Sequence, residues 1–89
     1  MRIRSLPARH AVYRLAPDLL LVFKPRAHRE VEHVHTHGQR LRVLRGELVV
    51  RRGRRRARLT SASRALVLPA GSAHETVAVR DTWLLAESL

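Results

Sequence analysis

The chain is expected to fold as an all-β sandwich or barrel, because its apolar residues come in short runs, turn signals separate those runs at close intervals, and no window sustains helical spacing beyond a turn or two. Many short strands with frequent punctuation are the pattern of two packed sheets or of one sheet closed on itself. His10 to Leu15 and Asp18 to Phe23 read as two strands parted by Ala16-Pro17. Gln39 to Leu44 is a third and Glu47 to Arg51 a fourth, which the turn around Arg52-Gly53-Arg54 joins to Arg56 to Thr60. Arg64 to Leu68 runs into the turn Pro69-Ala70-Gly71, and His74 to Val79 and Thr82 to Ala86 complete the set. At 89 residues this is one domain, residues 1–89, with a modest core that buries a little under about two-thirds of the unfolded surface. No linker or internal repeat interrupts it.

Composition removes several chemistries. There is no cysteine, which excludes disulfides, thiolate metal sites, iron–sulfur clusters and thiol nucleophiles. The longest apolar stretch, Leu19 to Phe23, is far too short to span a membrane, and MRIRSLPARH lacks the apolar core of a signal peptide. A cytoplasmic protein with no membrane partner is expected. Eighteen basic residues against seven acidic ones give a net charge of +11, and Lys24 is the only basic residue that is not arginine. An arginine-rich surface attracts phosphate, but these arginines run from Arg2 to Arg80, as a GC-rich source genome would spread them. The densest cluster, Arg51 to Arg58, has no interleaved aromatics for base stacking. Nucleic acid is therefore not the expected partner, and any affinity through this hairpin should be non-specific. Its Arg54, Arg56 and Arg58 are expected on one face and Arg55 on the other, a self-repelling edge that discourages aggregation.

Chemistry concentrates in two places. In EHVHTHGQRLRVLRGEL, His33 and His35 are two apart, so on a strand both imidazoles share a face. Gln39 follows after His37 and Gly38, where the backbone can bend. Two imidazoles and one oxygen donor make half a shell for a first-row metal. In LPAGSAHETV, Pro69 and Gly71 set a tight turn and His74 opens the next strand.

Together the two segments resemble the cupins. His33, His35, Gln39 and Gly46 have the spacing HxH(x)3Q(x)6G, similar to the first cupin motif, which usually has Glu where this chain has Gln39. Pro69-Ala70-Gly71-Ser72-Ala73-His74 resembles PxG(x)2H of the second, and 16 residues, Glu47 to Ala62, separate Gly46 from its start. The resemblance covers Ala27 to Ala78. It implies a double-stranded β-helix, or jelly-roll barrel, with one divalent transition metal (iron, manganese, nickel, zinc or copper) held by His33, His35, Gln39 and His74. The family's leading glycines fall on Ala27 and Ser63 and its closing Asn on Ala78, departures that leave the ligand set intact. Gln39 matters more. Three imidazoles and an amide leave the metal's charge uncompensated, which favours anionic ligands and Lewis acidity; the alternative is a three-histidine centre with Gln39 weakly bound or behind it.

Alternation sends Val31, Leu41, Val43 and Thr76 inward with the ligands and turns Glu32, Arg40, Arg42 and Glu75 outward, which predicts an apolar cavity with no carboxylate beside the metal. His37 and His28 stand either at the cavity mouth or in solvent, and Tyr13 and Trp83 are expected to pack. Triads, paired carboxylates and phosphate-cradling glycine loops are absent. The function read from this is an oxygenase-type enzyme on a small anionic molecule, the three-histidine iron sites of cupins resembling those of thiol and diketone dioxygenases. The alternative is a metal or small-molecule sensor without turnover. Outward apolar residues such as Leu44, Val77 and Val79, with the edge strands, predict a homodimer.

Overall fold

The computed structural model describes residues 9–89, with the side chains of Glu32 and His33 outside it. The first eight residues, and with them most of the segment read for a leader, therefore lie outside the described residues. Nine strands follow: β1 Ala11–Ala16, β2 Leu19–Lys24, β3 Arg29–Val34, β4 Gln39–Arg45, β5 Leu48–Arg52, β6 Arg55–Leu59, β7 Leu66–Leu68, β8 Ala73–Ala78 and β9 Thr82–Ser88. They form two antiparallel sheets, β1-β2-β9-β4-β7 and β3-β8-β5-β6. Among the described residues no helix is long and apolar enough to cross a membrane.

Period-two alternation builds the core. On β4, Leu41 and Val43 turn inward opposite Ala86 and Leu84 of β9; on β5, Leu48 turns inward opposite Ala78 of β8 and Leu59 of β6. These residues, with Val22, Val50 and Leu68, make one buried cluster. Each fully buried aliphatic side chain contributes roughly 1.5–3 kcal/mol before chain entropy is counted. Thr82, fully buried, joins the β8–β9 turn to β5, since its hydroxyl accepts from the Glu47 amide at 3.1 Å. Gly46 is needed beside it: φ is +98°, and a Cβ would collide with the Asp81 carbonyl and come within 2.6 Å of the Thr82 hydroxyl.

Two details of strand facing differ from expectation. Gly53 and Arg54 are themselves the hairpin turn, with Gly53 at φ +57°, so Arg54 belongs to neither face. Arg56, opposite Arg51, and Arg58, opposite Val49, share the outer face, while Arg55 opposite Arg52 continues the inner register. The second difference lies in β3. The ladder pairs Glu30 with Thr76 and His33 with His74, so Val31 and Glu32 together oppose one residue of β8. This bulge breaks the alternation. Val31 is 70% exposed instead of facing the core, and Glu30 takes the inward position. Of the apolar residues expected outside, Leu44 and Val79 are exposed and Val77 is partly buried.

Candidate metal and acid–base cavity

Between the sheets lies a cavity of about 260 Å³. One part of its wall carries His35, Gln39 and His74. His74 comes from the inner face of β8 and is 3% exposed. His35 stands just beyond β3, where its carbonyl accepts from the Gly71 amide at 2.9 Å and so ties the β3–β4 connection to the Pro69–Gly71 turn. That bond brings the two histidine-bearing segments together. The His35 and His74 rings stack, with centroids 5.2 Å apart and planes 19° from parallel. His33 is opposite His74 in the β3–β8 ladder, but its side chain lies outside the described residues. His37 is exposed, its ring centroid 6.2 Å from that of His35.

A second part of the wall is ionic, which the sequence reading did not foresee. Lys24, at the inward end of β2, donates to Glu30 Oε1 and, at 3.3 Å, to the Thr76 hydroxyl. All three line the cavity with His10. Of the residues expected on the wall, Leu41 and Thr76 line the cavity, whereas Val43 is buried in the core cluster and Val31 is exposed; Val12, Leu20, Val22 and Leu48 supply the rest of an apolar part. The expected absence of a carboxylate is overturned by the β3 bulge. Lys24 had a signal in the sequence: it is the single lysine in a chain otherwise rich in arginine, and it closes the apolar run LLLVFK. Glu30 had none, because a bulge leaves no trace in residue spacing.

Two more imidazoles gather on Glu30. Its Oε1 lies 3.6 Å from His10 Nε2 and 3.7 Å from His28 Nε2, and the two rings pack at a tilt of 32° with centroids 4.4 Å apart. Burial, helped by the nearby Lys24 and His28 charges and opposed by Glu30, pushes the His10 pKa below the ordinary imidazole value. That shift favours the neutral imidazole, the form that can accept a proton. The ligand atoms of His10, His28 and Glu30 lie within 4.8 Å of one another, close enough for a cation. However, the Lys24 ammonium already rests on the same Glu30 oxygen and would repel one. This cluster is suited to moving protons. His35, Gln39 and His74 put two imidazoles and an amide on one part of the wall, a donor set that fits a transition metal.

Two facing antiparallel sheets, a cavity between them and the two motif segments joined at its wall define a small domain of the cupin fold. Its likeness to solved structures lies in the fold. A cupin superfamily protein from Desulfitobacterium hafniense is 15% identical with a TM-score of 0.83, covering 98% of this chain and 83% of its own. KdgF from Halomonas sp. is 26% identical with a TM-score of 0.69, covering 86% and 73%. An RmlC-like cupin from Shewanella frigidimarina is 17% identical with a TM-score of 0.70, covering 99% and 90%. No protein-family model and no curated protein sequence matches the chain.

Proposed function

We propose that this cupin domain is a small metal-dependent enzyme in which His33, His35, Gln39 and His74 hold one divalent transition metal and the Lys24–Glu30 pair acts on a small anionic substrate beside it. The observation that carries this reading is the shared cavity: candidate ligands and an ion pair open into one space. Thr76, which touches Lys24, is two residues along β8 from His74, about 7 Å on the same face and so about the length of a small metabolite. A metal bound there supplies a Lewis acid for a carbonyl or carboxylate oxygen. Glu30 is the group placed to take a proton from the substrate, Lys24 fixes its carboxylate and adds attraction for an anion, and neutral His10 passes the proton outward.

Oxygen chemistry remains the second reading, favoured by the apolar lining; the case for it from a missing carboxylate falls with Glu30. Two measurements separate them. Proton transfer predicts substrate-dependent deuterium exchange by metal-loaded protein without oxygen uptake, lost by about a hundredfold or more in Glu30→Gln while the metal is retained. Oxygen uptake that survives Glu30→Gln would sink the acid–base reading.

The metal is tested on protein purified without a histidine tag. His35→Ala and His74→Ala are expected to lose most of it and His37→Ala to keep it. Gln39→Glu should tighten binding of manganese if residue 39 is a ligand. Occupancy should fall with pH through about 6.5, since the imidazoles bind only when neutral. The reading includes a homodimer, checked by light scattering at micromolar concentration.

A further inference from the structure

At the β8–β9 end of the molecule three chain segments close around a second cleft, of about 590 Å³, lined by Arg26, Arg45, Val79, Arg80, Asp81 and Trp83. Hydrogen bonds tie these segments together. The Arg26 amide donates to Asp81 Oδ1 at 2.7 Å, the Ala27 amide to the Ala78 carbonyl at 2.8 Å, and the Val79 amide to the Glu47 carbonyl at 2.9 Å. Gly46, next to Arg45, packs against Asp81 and the buried Thr82. Arg80 Nε is 3.5 Å from a Glu47 oxygen that shares its carboxylate with Arg58, and among the described residues no carboxylate lies within ion-pair distance of the Arg26 or Arg45 guanidinium. The chain's three aromatic residues converge on the same sheet face. Trp83 stacks on Tyr13, centroids 6.3 Å apart, and packs against Phe23, centroids 4.9 Å apart.

Three arginines, one engaged carboxylate and a braced indole give the combination that the arginine-rich hairpin lacks: cations for phosphate beside a flat surface for a ring. We propose that this cleft binds a nucleoside phosphate, free or as one unit of a single strand, with the base against Trp83 and the phosphate among Arg26, Arg45 and Arg80. The volume suits such a ligand. Asp81 is an acceptor of the kind that takes a sugar hydroxyl. The site is separate from the inter-sheet cavity and does not depend on the metal.

Trp83 is the only tryptophan, so its fluorescence reports on the cleft directly. The protein is titrated with AMP, with ribose 5-phosphate and with a labelled uridine oligonucleotide at near-physiological salt. The expected result is quenching by AMP or the oligonucleotide, with ribose 5-phosphate at least about tenfold weaker because it cannot stack. Quenching by AMP identifies a free nucleotide, and binding of the oligonucleotide alone identifies a strand. Arg45→Ala/Arg80→Ala should weaken binding by about tenfold or more, whereas Arg54→Ala/Arg56→Ala, which removes the same charge from the hairpin, should change it by no more than about twofold. Both pairs are exposed, and thermal melts establish that the variants fold. Equal losses in the two double variants, equal competition by ribose 5-phosphate, or no quenching would each overturn the proposal.

Discussion

Glu30 and Glu75 occupy opposite faces of the same four-stranded sheet, and each meets basic side chains in a different setting. On the outside Glu75 accepts from Arg51 Nε at 2.8 Å and from an Arg29 guanidinium nitrogen at 3.3 Å. Those arginines keep 36% and 62% of their side chains in contact with solvent, so either is readily rehydrated if the bond breaks. On the inside Glu30 is held by Lys24, whose side chain is 6% exposed and whose other contact is a single hydroxyl. The outer carboxylate is fixed between wet cations and ties strands together. The inner one depends on a buried cation and lies where a ligand can reach it.

The largest expected effect follows from that asymmetry. Glu30→Gln leaves the Lys24 ammonium buried without its counter-charge and should destabilise the fold by about 3 kcal/mol, the lower end of the range for a broken buried pair because Glu30 is itself one-third exposed. The double variant Lys24→Met/Glu30→Gln removes the stranded charge and should recover about 1 kcal/mol or more. Urea unfolding of the three proteins checks both. Recovery with no return of activity would mean that the pair is kept for chemistry; a single variant as stable as the parent would erase the distinction between the two faces.

The outer pair sharpens the comparison through pH. Arg51 first, and then Arg29, hold the Glu75 carboxyl at about 2 against an ordinary value of 4.5, despite the opposing effect of burial. A depressed carboxyl stabilises the fold above its unfolded pKa and loses that contribution as pH falls. The stability difference between parent and Glu75→Gln should therefore be constant above about pH 5 and shrink between 4.5 and about 2. Urea midpoints across that window provide the measurement. A difference unchanged near pH 2.5 would show that the two arginines do not hold this carboxylate.

Eight strands were legible because alternation and turn residues mark them. β3 was not drawn as a strand: its six residues carry two valines, both exposed, so no run of buried apolar residues reveals it. The same stretch concealed the acid–base group. Spacing flagged His35, Gln39 and His74, which line one cavity, but a strict period of two carried Val31 inward and so left Glu30 out of the site. One bulged residue reverses every assignment beyond it. Likewise, no aromatic lies beside the arginines along the hairpin, whereas Arg26, Arg45, Arg80 and Trp83 meet through the fold.

The smallest effect concerns the turn that leads into β3 and thus the placement of Glu30. Both glycine positions of the first motif adopt positive φ, +98° at Gly46 and +70° at Ala27. Gly46 has no room for a side chain, but Ala27 is exposed, so its cost is backbone strain alone. An L-residue in the left-handed region costs about 1 kcal/mol, and the extra freedom of glycine in the unfolded chain offsets roughly half of that. Ala27→Gly should therefore raise stability by about 0.5 kcal/mol and Tm by about 2–4 °C. The loop should keep its shape, because the amide of residue 27 still donates to the Ala78 carbonyl and the Ala78 amide to the His28 carbonyl. Glu30 then stays on the inner face, and the loss caused by Glu30→Gln should be the same in both backgrounds. A lower Tm would mean that residue 27 does not rest at positive φ, and a smaller Glu30→Gln loss that the strained alanine helps to aim β3 into the cavity.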